Sequence, residues 1–197
     1  MIKTGEIVAG AKLPEVTFAE RLRVSRAPLR EAFRALEEAG LVKLEKNRGV
    51  FVREISGQEA RELYDLRATL DEMAGRQLAP QMTEANILEL RDWLVRLDAA
   101  ATGNDISAYF PMNIAFHDRI VEMTGNITLI DFYRRVIDRM HLLRRRSMLI
   151  PDGSEASRLE HRGIVAALES RNAAIAAATL RAHVENGYRR FHDISPS

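Results

Sequence analysis

Apolar positions in the first fifty residues fall into two helical groups and then two short runs. Val16, Phe18, Ala19 and Leu22 recur at the spacing of a short helix over residues 15–22. Leu29, Ala32, Phe33 and Leu36 mark a second, with Ser25 as its cap, Pro28 in its first turn where a missing N–H is tolerated, and Gly40 as its stop. Residues 41–44 and 50–52 then alternate as two strands, and Glu45, Lys46, Asn47, Arg48 and Gly49 between them read as a hairpin turn. The predicted order is helix, helix, hairpin.

From Ser56 the period changes to that of long helices, which predicts a boundary between a domain at residues 1–55 and another at 56–197. Leu63, Leu66, Leu70, Met73 and Ala74 mark a helix stopped by Pro80, and Thr83 begins another carrying Ile87, Leu90, Leu94 and Leu97. A third is predicted over residues 105–124, with a kink at Pro111 and an end at Gly125, and a fourth over 127–149. Residues 154–170 and 172–192 complete six helices, the last rich in Ala and suited to close packing. The expected fold is mostly α: an N-terminal helix-turn-helix with a short β-hairpin, and a C-terminal all-α six-helix bundle.

Composition narrows the function. The 197 residues contain no Cys, so there is no disulfide framework or thiolate metal site. No apolar run approaches the roughly 20 residues of a membrane helix, and the N-terminus lacks a signal-peptide layout, so the cytoplasm is the expected location. The net charge of +1 hides an asymmetry: residues 1–55 carry 11 Lys and Arg against 8 Asp and Glu. Five arginines cluster at positions 21, 23, 26, 30 and 34, and the last three, spaced by four, form one helical stripe. A solvated helix face accounts for that spacing as readily as a nucleic-acid contact does.

The string Val24, Ser25, Arg26, Ala27, Pro28, Leu29, Arg30, Glu31 and Ala32 is followed by Leu36, Glu37, Gly40, Leu41 and Val42, then by Asn47, Arg48, Gly49, Phe51 and Val52. It resembles the winged helix-turn-helix of the GntR family of bacterial transcription regulators, and the helical half resembles the FCD ligand-binding domain of that family's FadR branch. The resemblance implies a sequence-specific regulator, not an enzyme, acting as a homodimer on a palindromic DNA operator. Arg26 and Arg30 would meet guanine edges or phosphates, Ser25 a phosphate, and the wing turn of Asn47, Arg48 and Gly49 the flanking minor groove. There are departures: only the last turn of the family's first helix is expected, at residues 2–10, Val16 stands where a basic residue is common, and Arg23 stands where the turn Gly is usual.

Histidines occur at 117, 141, 161, 183 and 192. Asn113 and His117 share one helix face, and His161 and His183 lie on the last two predicted helices. Three imidazoles and one oxygen suit zinc, with nickel or another first-row ion as alternatives. Scattered histidines are ordinary residues on their own, but the FCD resemblance implies a metal set of Asn113, His117, His161 and His183. It also implies a small carboxylate effector beside the metal, with Arg67 as its partner. Arg144, four residues after Met140 and so on the same helix face, is the second candidate, with Arg145 or Arg139 replacing it if the helix phase shifts by one. His141 and His192 match nothing in that pattern. Two other functions compete: a metal- or metabolite-binding protein with impaired DNA binding, and a metallohydrolase using Glu122 or Glu160. No HExxH, GxSxG, P-loop or dinucleotide glycine motif supports the latter.

Overall fold

The computed structural model describes residues 1–3, 5–102, 106–143 and 153–193. Its N-terminal part runs β1 (Lys12–Leu13), α1 (Glu15–Leu22), α2 (Arg26–Glu38), β2 (Val42–Glu45) and β3 (Gly49–Val52). The strands form one antiparallel sheet in the order β1-β3-β2. Leu13, Leu29, Phe33, Val42, Val50 and Val52 close a small core between the two helices and the sheet. The first strand of the hairpin lies one residue later than the sequence pattern predicts, and the second begins one residue earlier. β1 was not predicted, because a two-residue strand is too short to show alternation.

Local chemistry explains the helix ends. Arg23 takes the left-handed conformation, φ 55°, so the turn between α1 and α2 keeps its shape without glycine. Gly40, φ 73°, ends α2 in a Schellman motif: its N–H donates to the Glu37 carbonyl at 2.9 Å and that of Leu41 to the Leu36 carbonyl at 2.9 Å. The helical turn expected at residues 2–10 is not formed among the described residues. The segment instead makes tight turns, with Gly5 N–H on the Ile2 carbonyl at 3.0 Å.

Among the described residues six α-helices follow: α3 (Gly57–Leu78), α4 (Glu84–Thr102), α5 (Ile106–Met123), α6 (Ile127–Met140), α7 (Gly153–Glu169) and α8 (Ala173–Asp193). Ser56 caps α3 by accepting from Glu59 N–H at 3.1 Å, and Asn126 caps α6 by accepting from Leu129 N–H at 3.1 Å. Pro111 lies inside α5 without dividing it. α6 stops at Met140, short of the predicted 149, and a 3-10 turn at His141–Leu143 follows. That turn buries Leu143 among α3, α6 and α8 and sets Leu142 against the N-terminal core. Among the described residues, no helix is long and apolar enough to cross a membrane.

α3 and α8 pack closely against each other. A Cβ on Gly75 would stand 2.6 Å from Leu180 Cδ1 and 2.8 Å from the Ala176 carbonyl oxygen, so the small residues of α8 pack directly on the backbone of α3. Gly163 on α7 has nothing within 4 Å of the same hypothetical atom. Gly75→Ala is therefore expected to cost about 1–3 kcal/mol through overpacking. Gly163→Ala is expected to add about 0.5–1 kcal/mol through helix propensity. Urea unfolding of the two variants checks the opposite signs.

Candidate functional site

Two sets of residues stand out, one on each domain. On the N-terminal domain, Ser25 occupies the N-cap of α2 but its hydroxyl accepts no intrahelical bond, which leaves it and the first-turn amides open to an anion. Arg26, in the first turn, is exposed and has no ion-pair partner among the described residues. Arg30 pairs with Glu15 at 3.0 Å and Arg34 with Glu31 at 2.9 Å. Such exposed pairs are worth about 0–1 kcal/mol, so a phosphate can displace Glu15 from Arg30.

The wing turn holds Asn47 at φ 63° and Gly49 at φ 104°. Arg48 pairs with Glu45 and lies over the Phe51 ring at 5.5 Å. Lys12 on β1 also lies over that ring, at 5.7 Å, adding a cation to the wing that sequence reading missed because β1 was not visible in it. Glu37 accepts from Leu44 N–H at 2.8 Å and ties the wing to α2.

Within the bundle, α5, α7 and α8 bring His117, His161 and His183 together, all buried, with one nitrogen from each within 4.8 Å of the others. His117 Nε2 and His161 Nε2 are 3.2 Å apart. One ion at about 2.0–2.1 Å from two imidazole nitrogens spaces them by about 3.0–3.4 Å, so the separation fits. Asn113, one turn before His117, has a buried Oδ1 without a hydrogen-bond partner. The neutral donor set and the orphaned oxygen both fit a divalent first-row ion. Arg67 lies beside the triad, and Arg144 lies outside the described residues. The substitute Arg139 points elsewhere, to Glu59 at the domain junction.

Glu160, one residue before His161, does most to orient the cluster. Its Oε2 accepts from His183 Nδ1 at 2.7 Å, and it also receives Arg190 at 2.7 and 2.9 Å and Asn186 at 2.9 Å. Burial would raise its pKa, but the hydrogen bonds from His183 and Arg190 outweigh that and bring it to about 2. With Nδ1–H committed to Glu160, His183 turns the lone pair of Nε2 to its other side, the arrangement that orients metal-binding imidazoles. These commitments also remove Glu160 as a free base. Glu122 is held by Arg119 and Arg134 away from the triad. His192 is exposed and stacks on Tyr188 at 5.8 Å.

On the far side, Asp71 Oδ1 is 3.7 Å from His117 Nδ1, and its Oδ2 meets Arg67 Nε at 3.4 Å. Burial pushes the Asp71 carboxyl up to about 6 against the pull of Arg67. Burial works against the charge on Arg67 as well, and the neighbouring Tyr133 oxygen and Asp71 outweigh it. Burial, and then the neighbouring His183, hold the pKa of both His117 and His161 well below the ordinary value. The imidazoles are thus neutral at neutral pH, with lone pairs available. Sequence reading missed Asp71, Glu160 as a positioning group, Arg190 and Tyr133. Only Asp71 carried a signal: an acid four residues after Arg67 on the same face.

Comparison with known proteins places both halves. Residues 1–52 match the model of bacterial regulatory proteins of the gntR family, and residues 62–186 match the FCD domain. The chain is 30% identical over 187 residues to the Nta operon transcriptional regulator of Aminobacter aminovorans, covering 94% of this chain and 86% of that one. It is 27% identical over 207 residues to the transcriptional regulator LutR of Bacillus subtilis, with 94% of each covered. The structure of McbR/YncC from E. coli shares the fold, with a TM-score of 0.86 at 20% identity over 98% of this chain and 92% of that one.

The Glu160 contacts set a pH dependence in the metal-free protein. Because its pKa falls from 4.5 to about 2 on folding, Glu160 contributes stability above pH 4.5 that is lost as the pH falls towards 2. Glu160→Gln should therefore lower stability at pH 7 by about 1–3 kcal/mol, and the gap from the parent should narrow below pH 4.5. Denaturation at a series of pH values measures it; a gap constant with pH would contradict it.

Proposed function

The chain belongs to the GntR family of bacterial regulatory proteins and carries an FCD domain, and we propose that it is a DNA-binding regulator whose operator affinity is set by a small carboxylate bound at a metal in the bundle. The observation that carries this reading is the buried cluster of neutral imidazoles with the orphaned Asn113 oxygen. His117, His161, His183 and Asn113 would hold the ion, zinc or another first-row metal, which supplies a Lewis-acidic position for a carboxylate oxygen. Arg67 would neutralise the remaining charge of that carboxylate. Ser25, Arg26 and Arg30 would meet the DNA at the start of α2, with Asn47, Arg48 and Gly49 beside it at the wing. A homodimer would set two such domains on the half-sites of a palindrome, in the cytoplasm where the DNA lies.

An effector changes DNA affinity only by favouring one arrangement of the two domains. α6 is the element placed to carry that change. Tyr133 lies beside the Arg67–Asp71 pair, and five residues later Asp138 meets Lys3 at 2.5 Å. The adjacent Arg139 reaches Glu59, which also takes both contacts of Arg53 NH2, at 2.9 and 3.1 Å, while Arg53 NH1 donates to the Gly40 carbonyl at the end of α2 at 3.1 Å. A movement of α6 against α3 is thereby passed to the reading helix.

Two measurements test this. Chelator-treated protein is expected to take up one zinc ion per chain, with a rise in Tm of about 5–10 °C at a hundredfold excess over Kd. His117→Ala should abolish that rise while keeping the helical circular dichroism. No uptake by the parent would overturn the metal reading. Glu59→Gln is expected to leave effector-free DNA affinity within about threefold and to remove most of the effector's influence on it, which for typical allosteric coupling is about 5–150-fold. Retained coupling in that variant would take the signal away from this junction.

A further inference from the structure

Where the first half of α3 meets the second half of α8, Tyr64, Asp65, Glu185, Tyr188 and Arg189 line a pocket of about 200 Å³, and none of the three clustered histidines is among them. At about 30 Å³ for each water, that space holds a molecule of about seven non-hydrogen atoms. Aromatic rings form its wall. The Tyr64 and Tyr188 rings are tilted by 53° with their centres 5.3 Å apart. Each is backed by another ring: Phe191 lies 5.8 Å from Tyr64, and His192 stacks on Tyr188 at 5.8 Å. Both tyrosines pack in the apolar cluster that includes Ile55 at the domain boundary, so the wall is fixed before a ligand arrives.

The charges at the rim are not equivalent. Glu185 takes Arg181 at 2.7 Å, Arg181 also reaches Glu72 at 3.0 Å, and Arg76 meets Glu72 at 2.9 Å, so two arginines and two glutamates form a balanced chain. Asp65 and Arg189 stay outside it. Asp65 has Arg61 at 4.0 Å, with both side chains 71% exposed, a contact too long and too wet to hold it. Arg189 is exposed and pairs with no carboxylate among the described residues, although Glu185 stands one turn before it. One negative and one positive group thus line the same pocket from different helices without meeting each other. Beside an aromatic wall, they are the complement of a molecule that carries both an ammonium and a carboxylate. The ammonium takes Asp65 and a tyrosine face, and the carboxylate takes the Arg189 fork. A simple cation would be opposed by Arg189, and a simple anion by Asp65.

We propose that the pocket between α3 and α8 is a second ligand site, for a small α-amino acid, with Asp65 and Arg189 as its charge partners and Tyr64 and Tyr188 as its wall. The site is separate from the histidine cluster and needs no metal, so it stands or falls independently of the reading above.

The test is a ligand-observed NMR titration of the full chain with L-norvaline, butylamine and pentanoate, before and after chelator treatment. Butylamine is norvaline without its carboxylate, and pentanoate is norvaline without its ammonium. Norvaline is expected to bind with a Kd of about 1 mM, and each of the other two about 3–10-fold more weakly. Asp65→Asn should weaken norvaline and butylamine by about 3–5-fold without weakening pentanoate, and Arg189→Gln should weaken norvaline and pentanoate as much without weakening butylamine. Both side chains are exposed, so neither change endangers the fold. The proposal is overturned if norvaline stays unbound at about 20 mM, if either fragment binds as tightly as norvaline, or if neither variant changes norvaline binding. Butylamine bound most tightly would make the pocket a site for simple cations instead. Norvaline binding that chelation removes belongs to the histidine cluster, which overturns the second site and leaves the metal reading standing.

Discussion

Where α3 passes α8, Gly75 leaves room for no side chain, and the Ala176 carbonyl and Leu180 rest on its backbone. The rest of the bundle follows from that approach. One turn before Gly75 on α3 is Asp71, and one turn before that is Arg67. One turn after Leu180 on α8 is His183. Close packing of the two backbones brings an ion pair and an imidazole to the same depth, and α5 and α7 close over them with His117 and His161. The packing also dries the site, and dryness makes the imidazoles neutral.

The same dryness has opposite results for two carboxylates. Asp71 has one contact with Arg67, at 3.4 Å, and its pKa rises to about 6. Glu160 receives His183, Asn186 and Arg190 and its pKa falls to about 2. Burial penalises both; the number and quality of donors decides between them. Glu160 is therefore a permanent charge that sets the tautomer of His183, whereas Asp71 is a weakly held neighbour of His117 that a ligand can influence.

The two domains use electrostatics differently. On the reading domain the arginines are exposed, and their ion pairs with Glu15 and Glu31 are weak enough to be exchanged for phosphate. At the junction, Arg53, Arg139 and Glu59 are partly enclosed and converge on the last carbonyl of the Gly40 turn. There the ion pairs hold geometry between α3, α6 and α2. The chain thus keeps loosely paired charge where DNA would arrive and tightly paired charge where a signal would pass.

Most of the secondary structure was legible in the sequence, because periodicity and end signals are local. Ser25, Gly40, Ser56 and Gly125 mark helix boundaries within a residue or two, and the motif around Arg26 and Pro28 marks the second helix of the gntR-type domain. Asn113 and His117 were visible as a pair because four residues on one helix is a local relation. What tertiary structure decided was everything that depends on distant residues meeting. β1 was too short to show a period, and α6 ended early because Leu142 and Leu143 found partners on two different cores. The role of Glu160 depended on Arg190, thirty residues away, and that of Tyr133 on Arg67. Sequence spacing reports which residues share a face; only the packing of α3 against α8 decides which faces share a site, and how dry that site is.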